Sequence, residues 1–410
     1  MKYILKLLGK IFIYFILIIL LIVFFEYIFC PVYNFPKPEK FSGELIFNPY
    51  ENIDSNRWQK GNFQIQSQAW AGITDGRNNS SEAIFEKYAK LDYDVIVISD
   101  YQKINKYNEH KPNYIPTYEH GYGINKNHQV CIGSDRVMWT DYPFGQNLSQ
   151  KQHIINFLRD ENEIVAIAHP DLRGGFSFDD MKYLSNYDLL EALNEARFSI
   201  EHWDAALSSG HPAFILADDD GHNLDDSTEL GRICTFINAK TSNRNDIIEA
   251  LKNGKAFGAD LTMAKGETFL QKIEKTKHIP RLTSVQVVDD TLFVSVDSTA
   301  VSFRFIGQNA ELMKVSNNTK KAFYTIKKED SYIRAEIIFA DKSTFYLNPV
   351  FRYDGKKPYN YLKAEINWTK TWVLRVISLT IILFIIINIF YFRKRRRKRI
   401  ISKKGFYHTD

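Results

Sequence analysis

Two apolar runs bracket this chain and constrain whatever folds between them. The first covers Ile11 to Cys30, behind Lys2, Lys6 and Lys10; the second covers Trp372 to Phe392, ahead of Arg393-Lys394-Arg395-Arg396-Arg397-Lys398-Arg399. Each is about the 20 residues that an α-helix needs to cross a bilayer. The sequence therefore predicts a cytoplasmic tail over 1–10, a transmembrane anchor over 11–30, a second transmembrane helix over 372–392 and a basic cytoplasmic tail over 393–410. Both basic flanks lie outside the pair of spans. Positive charge collects on the cytoplasmic side, so the region between the spans is expected on the periplasmic or extracellular side. Glu26-Tyr27-Ile28-Phe29-Cys30-Pro31 is bulky and offers no small-x-small site, which favours an uncleaved anchor over a cleaved leader. Arg375, near the start of the second run, must carry its guanidinium to the outer interface.

The formal net charge of +5 belongs to the tails. The three lysines before Ile11 and a net +8 after Phe392 exceed it, leaving about −6 for everything between. An Arg/Lys run just inside a span reads as a topology signal in contact with anionic lipid, and no nucleic-acid partner is expected. The widely spaced Cys30, Cys131 and Cys234 form neither a disulfide framework nor a zinc-finger pattern.

Between the spans, a proline-bearing linker (31–60) precedes about 200 residues of strand and helix alternation. Gln64–Ala69, Asp94–Ser99, Val165–Ala168, a segment led by Tyr187–Leu193, and Phe214–Ala217 read as strands. Ser80–Leu91 (capped by Ser80 or Ser81), Leu148–Asn162, Ile200–Ser209 and Arg244–Asn253 read as helices. That alternation favours an α/β barrel over an open sheet. From Leu282 the texture changes to short alternating runs separated by Asp-Asp, Gly-Gln-Asn and Asn-Asn turns: Ser284–Val288, Leu292–Val296, Ser302–Ile306, Ala322–Ile326 and Tyr332–Phe339. These predict a small antiparallel, β-sandwich-like domain over 280–365.

Val165-Ala166-Ile167-Ala168-His169-Pro170 and Ile215-Leu216-Ala217-Asp218-Asp219-Asp220-Gly221-His222 are buried-strand runs that end in metal-type side chains. A parallel barrel presents chemistry in this way, at the carboxyl ends of its strands. Glu119, His128, His169, Asp220 and His222 are the candidate ligands, a carboxylate and imidazole mixture suited to zinc, manganese or iron. Taken singly, a His-Pro is more often a loop corner, and an Asp-rich triplet a solvated turn or cap.

With these residues in view, the chain resembles the polymerase-and-histidinol-phosphatase (PHP) superfamily over 61–262, in its metallohydrolase-like branch with a trailing β domain. Gly61-Asn62-Phe63-Gln64-Ile65-Gln66-Ser67 stands where that family has its first His-x-His motif, and Ile73-Thr74-Asp75-Gly76-Arg77 matches the next turn. Ile98-Ser99-Asp100-Tyr101 matches the Ser/Thr-Asp-His motif. Ile115-Pro116-Thr117-Tyr118-Glu119-His120-Gly121 with His128 matches the Pro-Gly-x-Glu motif and its later histidine. His169-Pro170 and Asp220-Gly221-His222 match the last two, while Gly231-Arg232 and Ala250-Leu251-Lys252-Asn253-Gly254-Lys255 match the end of the barrel.

The resemblance implies a distorted (β/α)7-type barrel with up to three metals that hydrolyses phosphoesters or related bonds. It implies one complete shell from Glu119, His128 and His169. Asp220 would complete a second shell with two histidines that are Gln64 and Gln66 here, with Gln68 as an alternative in a shifted register. His222 and Asp75 would share a third with a histidine that is Tyr101 here. A glutamine oxygen is a weak neutral ligand, and a tyrosine ligates only as phenolate. The expectation is thus a membrane-anchored phosphoesterase-like protein with one divalent transition metal, or a pseudoenzyme that keeps the fold to bind a ligand or partner. Arg173 is the candidate to hold an anionic group of a small-molecule substrate.

Overall fold

The computed structural model describes residues 2–74, 76, 78–226, 228, 230–261, 267–356 and 363–405. It divides into Phe35–Ala364 and a second unit made of 1–34 with 365–410. In chain order the first elements are α1 (Lys2–Phe29), β1 (Tyr33–Asn34), β2 (Leu45–Phe47), β3 (Trp58–Asn62), α2 (Ser81–Lys90), β4 (Val95–Ile96), β5 (Thr117–His120) and β6 (Gln129–Ser134). Next come α3 (Leu148–Arg159), β7 (Asn162–Ile167), α4 (Phe178–Tyr183), β8 (Leu189–Asn194), α5 (Ile200–Ser208), β9 (Phe214–Asp218), β10 (Ile233–Asn238), α6 (Arg244–Lys252), β11 (Ala256–Asp260) and α7 (Phe269–Thr276). The remainder is β12 (Leu282–Val288), β13 (Thr291–Ile306), β14 (Leu312–Thr325), β15 (Tyr332–Ile338), β16 (Thr344–Leu347), β17 (Val350–Tyr353), β18 (Glu365–Ile366) and α8 (Trp368–Gly405).

The helices start where local chemistry satisfies their first amides. The Ser80 hydroxyl accepts from Ala83 N at 3.1 Å to begin α2, and Asn147 with Gln150 forms a reciprocal capping box on α3. β7, β8 and β9 are almost wholly buried, which is why their sequences are continuous rather than alternating apolar runs.

Phe35–Ala364 is a mixed α/β structure with several sheets. One sheet has five strands in the order β5-β6-β7-β8-β9; β5, β6 and β7 pair antiparallel, and β7, β8 and β9 parallel. The other has eleven strands along the path β12-β13-β15-β16-β11-β10-β3-β4, with β14 on β13, and β17 between β15 and β2. Two isolated parallel bridges, Tyr101 with Glu119 and Ile65 with Gly221, join the two sheets.

The expected barrel is therefore not laddered into a closed ring among the described residues. Three local causes are visible. β4 is only two residues long, the β5–β6 connection is an antiparallel hairpin rather than a helical crossover, and the strand expected over Gln64–Ala69 ladders earlier, at Trp58–Asn62. The antiparallel strands expected after Leu282 are present, and β16 pairs with β11 from Asp260↔Thr344 to Phe257↔Leu347. Phe236, Phe257 and Phe345 stack across that seam, with Phe257 at 5.0 Å from Phe236 and 4.8 Å from Phe345. The buried Arg334 of β15 fastens α5: its Nε and Nη2 donate to the two oxygens of Asp204 at 2.8 and 2.7 Å, and its Nη1 to Glu336 at 2.8 Å. A buried guanidinium persists only with its hydrogen bonds made in this way.

In the other unit, α1 and α8 are each long and apolar enough to cross a membrane. β1 pairs with β18, and Asn367 N donates to Val32 O at 2.7 Å. Arg375 donates to the Phe29 carbonyl at 2.5 Å and lies over the rings of Phe29 and Trp372. The lone cation of the second run is thus met by a helix-terminal carbonyl and two aromatic faces.

Candidate metal centre

Glu119 sits on β5, where side chains alternate between faces. Thr117 and Glu119 share one face, and Tyr118 and His120 the other. His120 is held structurally, by Gln129 at 2.9 Å and the Thr140 carbonyl at 3.0 Å. The hairpin loop after β5 returns with His128 immediately ahead of β6. Gly121, at φ +123°, makes this possible, because a Cβ there would stand 2.6 Å from His128 Cδ2. His169 follows β7 at φ +27°, and its backbone N–H donates to Glu191 Oε2 at 2.7 Å.

These elements bring together Glu119, His128 and His169, all fully buried, with ligand atoms within 4.8 Å of one another. His128 Nδ1 is hydrogen-bonded to Glu119 Oε1, and His169 Nε2 lies 3.2 Å from the same oxygen. The second oxygen accepts from the Gln66 amide at 2.6 Å. Burial acts to raise the Glu119 carboxyl, but the His128 and His169 imidazoles outweigh it and hold the group well below the usual carboxylate range. Burial depresses His128 against the pull of Glu119.

The other sequence candidates surround this triad without joining it. Gln64 is buried, and neither of its amide atoms has a hydrogen-bond partner. Its backbone, with that of Gln66, exchanges hydrogen bonds with Gly221 at 3.2 and 3.0 Å, so the first and last motifs lie side by side. Gln68 is exposed. The Tyr101 hydroxyl is 3.3 Å from His222 Nε2, and its ring is edge-on to His128 at 5.5 Å. Asp220, at φ +50°, accepts from Asn194 at 3.2 Å through one oxygen, while the other makes no hydrogen bond and lies 3.7 Å from His222 Nδ1. His222 Nδ1 is 2.5 Å from the Asp220 carbonyl. Arg173 is exposed on a tight turn beyond His169-Pro170, at φ +52°. Asp75 lies outside the described residues.

Asp218-Asp219-Asp220 is buried, not a solvated turn. Asp219 is a structural acceptor for the backbone amides of Gly231, Arg232 and Ile233 at 2.7, 3.0 and 2.8 Å, and for Tyr88 and Tyr93. Burial pushes Glu191 well above the usual carboxylate range, helped by Asp218 and Asp220. Glu191 and Asn194 went unread in the sequence, since a polar residue inside an apolar strand carries no periodic signal.

A cleft of about 510 Å³ opens beside the triad. Trp70, Tyr101, Gln102, Tyr122, Lys126 and Trp139 line it, together with His128 itself. It gives the buried centre an approach from outside.

No protein-family model matches the chain, and no curated protein matches it. Among solved structures it is similar to a two-domain protein from Bacteroides vulgatus, described as containing a predicted PHP-like metal-dependent phosphoesterase. The identity is 13% over 77% of this chain and 100% of that one, with a TM-score of 0.36.

Proposed function

We propose that the chain is a membrane-anchored, PHP-like hydrolase of the phosphoesterase class, working with one divalent transition metal (zinc, manganese or iron) held by Glu119, His128 and His169. The observation that carries this reading is the convergence of two buried imidazole nitrogens on one carboxylate oxygen. Two nitrogens and an oxygen fit such an ion. Bound there, the metal supplies a Lewis acid for a phosphoryl oxygen and lowers the pKa of a water. Gln66 fixes the Glu119 carboxylate, Glu191 fixes His169 through its backbone, and Lys126 and Arg173 are the cations offered to an anionic substrate.

The succession β3–β4, the Tyr101–Glu119 bridge, β5 through β9 and the Gly221–Ile65 bridge leads back to β3. That circuit supports reading 61–262 as a distorted PHP-type barrel, with 280–365 as the trailing β domain. The basic flanks support cytoplasmic termini and a trans-side main domain.

A second reading is a pseudoenzyme that retains one metal and binds a ligand or partner without turnover. Tyr101 against His222, and Gln66 donating to Glu119, favour it, since both occupy positions where the resemblance calls for further ligands.

Metal analysis of the purified chain, alongside hydrolysis of p-nitrophenyl phosphate, decides between them. About one tightly bound ion per chain is expected, lost in Glu119→Gln and in His169→Ala; three ions would overturn the single-metal reading. One ion without hydrolysis would select the pseudoenzyme. Gln64→His, Gln66→His and Tyr101→His combined should add metal, and no gain in metal or activity would defeat the account of degraded shells.

A further inference from the structure

Resting on that single-metal reading, we propose that the cleft beside His128 seats a phosphorylated saccharide. Its ring packs into the corner made by Trp70 and Trp139, its hydroxyls meet Gln102, and its phosphate lies toward Lys126 and the metal centre. The cleft volume of about 510 Å³ is within the usual range for small-molecule sites.

Hydrogen bonds hold the Trp70 and Tyr122 rings, Trp139 packs edge-on against Trp70, and all three are left uncovered. Trp70 Nε1 donates to the Tyr101 carbonyl at 2.7 Å, and the Tyr122 hydroxyl donates to the Trp139 carbonyl at 2.7 Å. Trp70, Tyr122 and Trp139 nevertheless remain 43%, 47% and 55% exposed. Three large exposed rings around one cleft offer an apolar face to a ligand. Their negative faces favour the slightly positive C–H groups of a saturated ring.

Gln102 supplies the polar half of the site. It lines the cleft, is only 6% exposed, and neither its amide N nor its amide O has a hydrogen-bond partner. A buried carboxamide left unbonded is costly, and a ligand's hydroxyls would relieve that cost. Its backbone is also held at φ +49°, a strained conformation of the kind that collects at ligand sites. A carboxamide offers a donor and an acceptor side by side, the complement of two neighbouring hydroxyls.

Shape and charge narrow the ligand further. Trp70 and Trp139 meet edge to face, with an interplanar angle of 74° and centroids 6.0 Å apart. This is a corner, not the parallel-walled slot that a planar base fills. Lys126, whose Nζ stands 5.3 Å from the Tyr101 ring centre, is the cation that lines the cleft. The expected ligand is therefore anionic.

The test uses the full chain in sugar-free nanodiscs, loaded with zinc and titrated calorimetrically with glucose 1-phosphate, inorganic phosphate and AMP. Glucose 1-phosphate should bind about tenfold tighter than inorganic phosphate, the scale of one good ring-stacking contact. Trp139→Ala and Gln102→Leu should each erase that ratio while leaving metal content and phosphate affinity unchanged, and Trp139→Phe should keep most of it. Equal binding of glucose 1-phosphate and phosphate, tighter binding of AMP, or a ratio that survives Trp139→Ala would overturn the proposal. If zinc fails to bind but the preference for glucose 1-phosphate persists, only the metal reading falls. If zinc binds and the preference is missing, only the saccharide proposal falls.

Discussion

At the scale of single residues, the candidate centre depends on backbone conformations that side chains rarely adopt. His169, Asp220 and Gln102 all have positive φ, and Gly121 sits where only glycine fits against His128. Strain of this kind persists only when the surrounding structure over-determines it. Gly121→Ala should push the His128 ring out of line and weaken zinc binding about 10- to 100-fold, the scale found when an orienting neighbour of a ligand is lost. Competition titration with a fluorescent zinc chelator reads this directly; unchanged affinity would show that the loop does not set the imidazole. Glu119, His128 and His169 were legible as candidate ligands, but only the family resemblance grouped these three, out of five, into one shell. The role of Gln66 was not legible. A glutamine in a histidine position reads as a weak ligand beside Asp220, whereas here its amide donates to Glu119, the carboxylate of the other shell. Gln68, the partner in the shifted register, is exposed.

At the scale of elements, helices were the readable part. Expected over Ser80–Leu91 and Ile200–Ser209, they occur at Ser81–Lys90 and Ile200–Ser208, because capping and 3.6-residue spacing are local signals. β5, β6, β10 and β11 escaped notice. Their residues are buried on both faces or nearly so, so Thr117-Tyr118-Glu119-His120 shows no alternation to detect. The turn after β8 carries a titrating group of its own. Burial pushes the Glu195 carboxyl up to about 7, against the lowering effect of Arg232, which is 3.2 Å away. With an unfolded value near 4.5, the folded state holds a proton through this interval that the unfolded state has released. Its contribution to stability is full below about pH 4.5 and is lost as pH rises through about 7. Melting curves at pH 5 and pH 8 should show a smaller drop for Glu195→Gln than for the parent chain. Equal drops would mean that this carboxyl ionises normally.

At the scale of the whole chain, the paired apolar helices and their basic flanks make a prediction about sidedness. In intact cells, a tag fused after Asp410 should resist added protease, while the region between the helices should be cut. The reverse pattern would refute the proposed orientation. Hydropathy made both helices plain in the sequence, but the joining of β16 to β11 was not, since strand pairing over such separation leaves no local trace. One consequence follows from β14, which among the described residues pairs only with β13. Its far side offers the backbone of Leu312–Thr325 to any neighbour of like shape, a template for edge-to-edge aggregation. Lys320 and Lys321 stand exposed along it, and Lys314 folds over Phe323 at 3.7 Å. Lysines along an exposed edge strand oppose the close approach of a second copy, a charge-based safeguard against edge-to-edge pairing.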